Sequence, residues 1–252
     1  MTTLFISDLH LSEHRPELTA ALLRFLRERA AHAQALYILG DLFEFWIGDD
    51  EGSALQHTIE QALQTLHQQG VALYYQHGNR DFMLGKSFAR RAGMTLLPAI
   101  HVIELAGRRC VLLHGDELCT RDLEYQRYRR ITGWRWLQWL FLRLPLSRRL
   151  NIAAGIRRGS RQGKQQKPAD WMDVVDDDVT SLMQRTQAVW MIHGHTHKPA
   201  RHALPFTMPD LAGTAQPACR FVLGDWEQVF TYLRIAGDDA ELITEPVSAD
   251  RV

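Results

Sequence analysis

A chain of 252 residues with a 46% hydrophobic share can bury a sizeable core, which excludes an intrinsically disordered polypeptide. Its 29 Lys or Arg balance 29 Asp or Glu, so no global charge marks a nucleic-acid binder, and no run reaches the ~20 apolar residues of a membrane span. Three cysteines, Cys110, Cys119 and Cys219, make an odd count without metal-type spacing and read as reduced thiols; the opening MTTLFISDLH lacks the basic stretch of a signal peptide, so a cytoplasmic protein is expected.

The first hundred residues alternate apolar runs with amphipathic segments. LFIS (4–7) precedes a helix expected over about 17–32, where Leu18, Leu22, Phe25, Leu26 and Arg29 keep a 3.6-residue period. ALYILGD (35–41) precedes a helix over about 53–69 ended by Gly70, and VALYYQHGN (71–79) precedes a short helix around 85–92 ended by Gly93. This β-α-β-α-β order predicts an α/β core. HVIELAGRRCVLLHGD (101–116) reads as a hairpin turning at Ala106-Gly107. Residues 121–167 hold 13 Lys or Arg against only Asp122 and Glu124, which leaves that segment at +11 and the remainder at −11. The helical stretch 120–187 therefore reads as a basic insert that meets an anionic partner. Beyond residue 188, AVWMIHGH, CRFVLGDWEQ, VFTYLRIAG and DDAELITEP read as strands. The expected organisation is a core of 1–120 and 188–252 with a helical cap, 121–187, inserted into it.

The apolar runs end in metal-capable residues: Asp8-Leu9-His10, Gly40-Asp41, Gly78-Asn79-Arg80-Asp81, His114-Gly115-Asp116 and Gly194-His195-Thr196-His197. Singly, each has a local explanation: a turn for Asp8, a helix cap for Asp41, a left-handed turn for Asn79, a strand end for His114. Five such endings point to one site, because ligands of α/β sheets bind beyond the carboxyl ends of the strands. His193, His195 and His197 alternate, which in extended backbone puts them on one face, and neutral imidazole is the commonest protein metal ligand. Asp8, His10, Asp41, Asn79, His114, His195 and His197 are too many ligands for one tetrahedral ion and suit two, with the two-oxygen carboxylate of Asp41 as the bridge. Mixed oxygen and nitrogen donors without thiolate favour Mn²⁺, Fe or Zn. Two such ions about 3.5–4 Å apart clamp the attacking and leaving oxygens of a phosphoester.

The order D-x-H, GD, GN-x-D, H and GHxH over residues 8–197 resembles the calcineurin-like metallophosphoesterases. The resemblance implies an α/β, four-layer αββα sandwich. It implies that Asp8, His10, Asp41 and His197 hold one metal, and Asp41, Asn79, His114 and His195 the other; His193 has no role in it. The family's usual GNH carries a histidine where this chain has Arg80. A proton donor matters less when the leaving group is itself a phosphate with a second pKa of ~6. A guanidinium suits the spread charge of a pyrophosphate, so Arg80 points to phosphoanhydride cleavage; a structural Arg facing Asp81 is the plainer alternative.

Within that family, GDLFEFWIGDD, HGNRDFMLGKSFA and HGDELCTRD resemble the UDP-2,3-diacylglucosamine pyrophosphatases of bacterial lipid A biosynthesis along nearly the whole chain. The resemblance implies Mn²⁺-dependent hydrolysis, with two ions per chain, of UDP-2,3-diacylglucosamine to UMP and 2,3-diacylglucosamine 1-phosphate (lipid X). It further implies a peripheral position on the cytoplasmic face of the inner membrane, and a monomer is expected. By the same resemblance Asn79, Arg80 and His195 are catalytic and, with Asp122, Ser160, Lys164 and Lys167, contact the sugar and phosphates. WRWLQWLFLRLPL (134–146) interleaves Trp134, Trp136, Trp139 and Phe141 with leucines, Arg135 and Arg143, as interfacial or acyl-binding helices do; packing on the core is the plainer alternative. A soluble-nucleotide phosphoanhydride hydrolase shares the same site, and a non-catalytic scaffold would lack ligands that are all present here. A nuclease needs aromatics stacked along a basic groove, whereas these aromatics sit among leucines, so no nucleic-acid partner is expected.

Overall fold

The computed structural model describes residues 2–166, 171 and 173–247, with the side chains of 157–166 outside the described set. Six strands form one sheet: β1 (Thr2–Ile6), β2 (Ala35–Leu39), β3 (Ala72–Gln76), β4 (Met94–Leu96), β10 (Val229–Ala236) and β11 (Asp239–Pro246), in the order β11-β10-β1-β2-β3-β4. Five form the other: β5 (Ile100–Leu105), β6 (Arg108–Leu113), β7 (Trp190–His193), β8 (Ala200–Pro209) and β9 (Ala215–Val222), in the order β5-β6-β7-β9-β8. β1, β2, β3 and β4 run parallel, as do β6, β7 and β9.

Period-2 alternation decides what each face of a strand buries. From β1, Phe5 enters the space between the sheets with Tyr37, Leu39, Leu112, Trp190, Ile192 and Phe221, while Leu4 and Ile6 face the opposite layer. That layer is made by α1 (Pro16–Glu28), α2 (Ala54–Gln68) and α3 (Lys86–Arg91), which bury Leu22, Phe25, Ile59, Leu63 and Phe88. On the far side, α7 (Asp176–Thr186) buries Val179, Leu182 and Met183 against Val111, Leu113 and Met191. The result is the four-layer αββα sandwich.

Helix α2 begins where Ser53 accepts the Gln56 amide, and Gly70, with φ of +98°, ends that segment in a conformation costly for other residues. The α1 segment differs from expectation: it closes at Glu28, and a 3₁₀ turn, Ala30–His32, buries Ala30 in the core. Two strands were not legible from the alternation of apolar residues. β4 has only three residues, and β8 is a largely exposed edge strand with prolines at 205 and 209, a composition that argues against an interior strand.

The insert carries α4 (Leu123–Thr132), α5 (Arg135–Leu142) and α6 (Leu146–Gln166). Neither α4 nor α5 buries a residue, so these helices lie over the core rather than within it. The helical stretch 121–187 thus divides in packing: its last helix, α7, is a layer of the sandwich. Arg149, 2% exposed, ties α6 to the loop after β2 through Asp50 and the carbonyl of Ile47, with Nη1 2.7 Å from that oxygen.

Candidate metal centre

The parallel strands of both sheets deliver their carboxyl ends to one edge, and the predicted ligands follow at once: Asp8 after β1, Asp41 after β2, Asn79 after β3, His114 after β6 and His195 after β7. The chain turns sharply there. Among the described residues seven non-glycines have φ in the left-handed region, and five are Asp8, His10, Asp41, His195 and His197, at +50° to +68°. Such strain persists where surrounding contacts enforce it, and it clusters at functional sites.

The two aspartates share one arrangement, in which one oxygen is held by donors from the neighbouring loop and the other turns inward. Asp8 Oδ2 accepts the Ser7 hydroxyl at 2.6 Å and the His195 amide at 2.9 Å. Its Oδ1, buried and without a hydrogen bond, lies 3.3 Å from His197 Nε2 and 4.0 Å from His10 Nε2. Asp41 Oδ1 accepts the Arg80 amide at 2.8 Å, while Oδ2 sits 3.9 Å from His10 Nε2 and 3.7 Å from His114 Nε2. Close approach of backbone makes this possible. A Cβ on Gly78 would fall 2.1 Å from Asp41 Oδ1, and one on Gly194 2.1 Å from Asp8 Oδ2.

On the other side Asn79 Oδ1 lies 3.1 Å from His114 Nε2 and 3.0 Å from His195 Nδ1. All seven residues singled out from the sequence therefore converge. Asp8, His10 and His197, and likewise Asp8, Asp41 and His114, bring ligand atoms within 4.8 Å of one another. An orphaned carboxylate oxygen among imidazole nitrogens, with no thiolate, fits divalent cations of intermediate hardness.

The charges are crowded in a way that a cation relieves. Burial, with Asp81 and Asp8 adding to it against the pull of His114, pushes the Asp41 carboxyl up to about 7. Burial would likewise raise Asp8, but the imidazoles around it hold that carboxyl well below the usual range. Burial pushes His10 down to about 3. Against the same burial, Asp41, Asp8 and Asp116 lift His114 to about 9.

His193 departs from the alternation read in the sequence. Extended backbone ends with β7 at His193, and His195 and His197 take left-handed φ in the loop beyond, so the three do not share a strand face. His193 is fully buried, with Nδ1 2.8 Å from the Gly194 carbonyl and Nε2 3.3 Å from Arg220 Nη1, and burial pushes it down to about 4. It is a satisfied core histidine.

Arg80 borders the ligands, its Nη1 3.9 Å from Glu44 Oε1, where a groove of about 810 Å³ lined by Asp8, His10 and His197 opens. Asp122, 7% exposed, caps α4 by accepting the Tyr125 amide at 3.0 Å. The side chains of Ser160 and Lys164, and Lys167 entirely, lie outside the described residues.

Two acids, Glu44 and Asp225, escaped the sequence reading, and Asp81, named there among the strand-end residues, has a role it did not assign. Asp81 accepts the amides of Asp41, Phe43 and Gly78 at 3.0–3.2 Å and so shapes the loop that presents Asp41. Glu44 and Asp225 stand behind His10 and His197, at 3.5 Å and 3.1 Å from their Nδ1 atoms. A signal for Asp225 was present, since FVLGDW repeats the strand-Gly-Asp ending of YILGDL.

The family model described as calcineurin-like phosphoesterase matches residues 1–199, the span that holds all seven candidate ligands. The chain belongs to that family. This phosphoesterase is 55% identical over 248 residues to a UDP-2,3-diacylglucosamine hydrolase of Tolumonas auensis, covering 98% of each chain. It is 54% identical over 226 residues to one from Aeromonas salmonicida, covering 90% of this chain and 86% of that one. With one from Escherichia coli it shares 49% over 246 residues, 98% of this chain and all of the other.

Proposed function

We propose that the chain hydrolyses the pyrophosphate bond of UDP-2,3-diacylglucosamine to UMP and lipid X, as a metal-dependent step of lipid A biosynthesis. The observation that carries this is the convergence of Asp8, His10, Asp41, Asn79, His114, His195 and His197 beside Arg80, in a chain whose relatives of that name match it nearly end to end. Asp8, His10, Asp41 and His197 would hold one Mn²⁺ and Asp41, Asn79, His114 and His195 the second, with Asp41 Oδ2 between the two sets. Bound there, the pair supplies Lewis-acid polarisation of a phosphoryl oxygen and a water of lowered pKa.

The chain's own residues do the rest. Arg80, with its amide on Asp41 and its guanidinium over the groove, spreads the charge that develops on the leaving phosphate; Asn79 and His195 orient the phosphoryl group at the same edge. Asp122, Ser160, Lys164 and Lys167 are proposed to bind the sugar and phosphate from the insert.

The insert also supports a membrane-proximal reading. No described helix is long and apolar enough to cross a membrane. On α5 the ring of Phe141 packs on the core, whereas Trp136 and Trp139 are 61% and 57% exposed, with Arg143 4.4 Å over the Trp139 ring. We assign the outward face to peripheral contact with the cytoplasmic side of the inner membrane and the inward face to acyl chains, in a monomer.

The test compares UDP-2,3-diacylglucosamine with UDP-N-acetylglucosamine, with Mn²⁺ present and UMP as the product measured. Acyl burial contributes about 0.8 kcal/mol per CH₂ at its limit, so kcat/KM for the chain-free compound is expected to be lower by orders of magnitude. Comparable values would instead select a soluble-nucleotide hydrolase.

A further inference from the structure

Three imidazoles of the site, those of His10, His114 and His197, are supported from behind in two different ways. His197 Nδ1 lies 3.1 Å from Asp225 Oδ2, on the loop after β9, and His10 Nδ1 lies 3.5 Å from Glu44 Oε2, on the loop after β2. His114 Nδ1 instead meets a peptide group, the Leu39 carbonyl, at 2.8 Å. Asp116, two residues along from His114, takes no part in that hydrogen bond; its Oδ2 is engaged by the Tyr125 hydroxyl at 2.5 Å and Arg129 Nε at 2.8 Å.

A partner on Nδ1 fixes the tautomer and leaves the Nε2 lone pair for a cation. The Nε2 atoms of His10 and His197 stand 3.4 Å apart beside Asp8 Oδ1, aimed at one point. An anionic partner does more than a carbonyl dipole, because its charge adds to the field at that point. His197 has such an anion against Nδ1, and the Glu44 carboxylate stands 3.5 Å from His10 Nδ1 without a hydrogen bond to it, whereas His114 has a carbonyl.

We propose that Asp225, aided by Glu44, is a positioning residue for the Asp8–His10–His197 metal position alone, so that the two positions of the centre are separately controlled from behind. Asp225 carries the larger share, because its contact is shorter and Glu44 also faces Arg80. Neither carboxylate touches substrate in this assignment. The inference rests on the two-metal reading above.

The experiment titrates metal-free full-length protein with Mn²⁺, following free Mn²⁺ by its EPR signal, for the wild type, D225N, D225E, E44Q, H114A and D225N/H114A. Loss of such an outer partner typically costs 10–100-fold in metal affinity. D225N is expected to weaken one of two ions by about that factor and leave the other unchanged, with E44Q doing so less and D225E, which keeps the charge, restoring affinity. H114A should lose the other ion, so the double variant should bind none tightly. A double variant that still holds one ion tightly, or a D225N protein whose two ions weaken equally or not at all, overturns the proposal. Equal melting temperatures of the metal-free proteins separate positioning from general damage to the fold; an unfolded D225N is replaced by D225S under the same criteria. A wild type that takes up only one ion overturns the two-metal reading itself, which is a different failure.

Discussion

Tyr125, on the first helix of the insert, donates its hydroxyl at 2.5 Å to Asp116, two residues beyond the proposed ligand His114. The same carboxylate accepts Arg129 Nε at 2.8 Å, Gln126 Nε2 reaches the Asp116 carbonyl at 2.8 Å, and the Tyr125 ring lies 6.2 Å from that of His195 at an interplanar angle of 25°. One buried acid thus binds α4 to the loop that carries a proposed ligand. With Arg149 on Asp50 at the other end, the insert is fastened to the core on both sides of the exposed α5.

Removing Arg129 takes one of its two side-chain donors from the Oδ2 of Asp116, which is 4% exposed. A buried acceptor stripped of a partner costs about 1–3 kcal/mol, so R129A is expected to melt earlier by about 2–4 °C for each kcal/mol lost. Thermal unfolding of the metal-free protein reads this, and an unchanged Tm means the clamp does not stabilise the fold.

Asp41 Oδ2 lies within 4 Å of nitrogens from both sets of ligands, at 3.9 and 3.7 Å. D41N keeps the shape of the side chain while removing its charge. Metal analysis after gel filtration should fall from two ions towards none, turnover should be abolished, and the circular dichroism of the metal-free protein should not change. Two ions retained at full occupancy would count against bridging.

Arg80 is held by its backbone on Asp41 and by Glu44 near its guanidinium. Loss of a donor that stabilises transition-state charge costs about 10²–10³ in rate. R80A is therefore expected to lose that much kcat with its metal content intact, and a near-native kcat would remove the assigned role.

The exposed Trp136 and Trp139 beside Arg135 and Arg143 predict binding to anionic vesicles that weakens with salt, since each basic residue near such a surface contributes about 1 kcal/mol. Sedimentation with phosphatidylglycerol vesicles at low and high ionic strength tests the charge. W136A/W139A should reduce the binding that survives high salt, and unchanged binding would place the membrane contact elsewhere.

The convergent residues were legible because each sits in a short motif at a strand end, where apolar alternation stops and a Gly, Asp or His begins. That information is local: Asp8, His10, Asp41, Asn79, His114, His195 and His197 could be named before any tertiary contact was known, and the two-sheet family fold with them. Other features depend on residues far apart in the chain. The loop after His193 turns left-handed because the His195 amide binds Asp8 and the Gly194 amide binds the His114 carbonyl, contacts across 187 and 80 positions, so the alternating histidines could not be read as a strand. The carboxylate behind His197 arrives from residue 225, and α7 joins the sandwich only because β6 and β7 offer Val111, Leu113 and Met191 to its apolar face. Sequence alone determined which side chains can bind metal and the strand ends that carry them. Tertiary structure decided which oxygen of each aspartate faces inward and which anion stands behind each imidazole, because those depend on hydrogen bonds between segments that meet only when both sheets have packed.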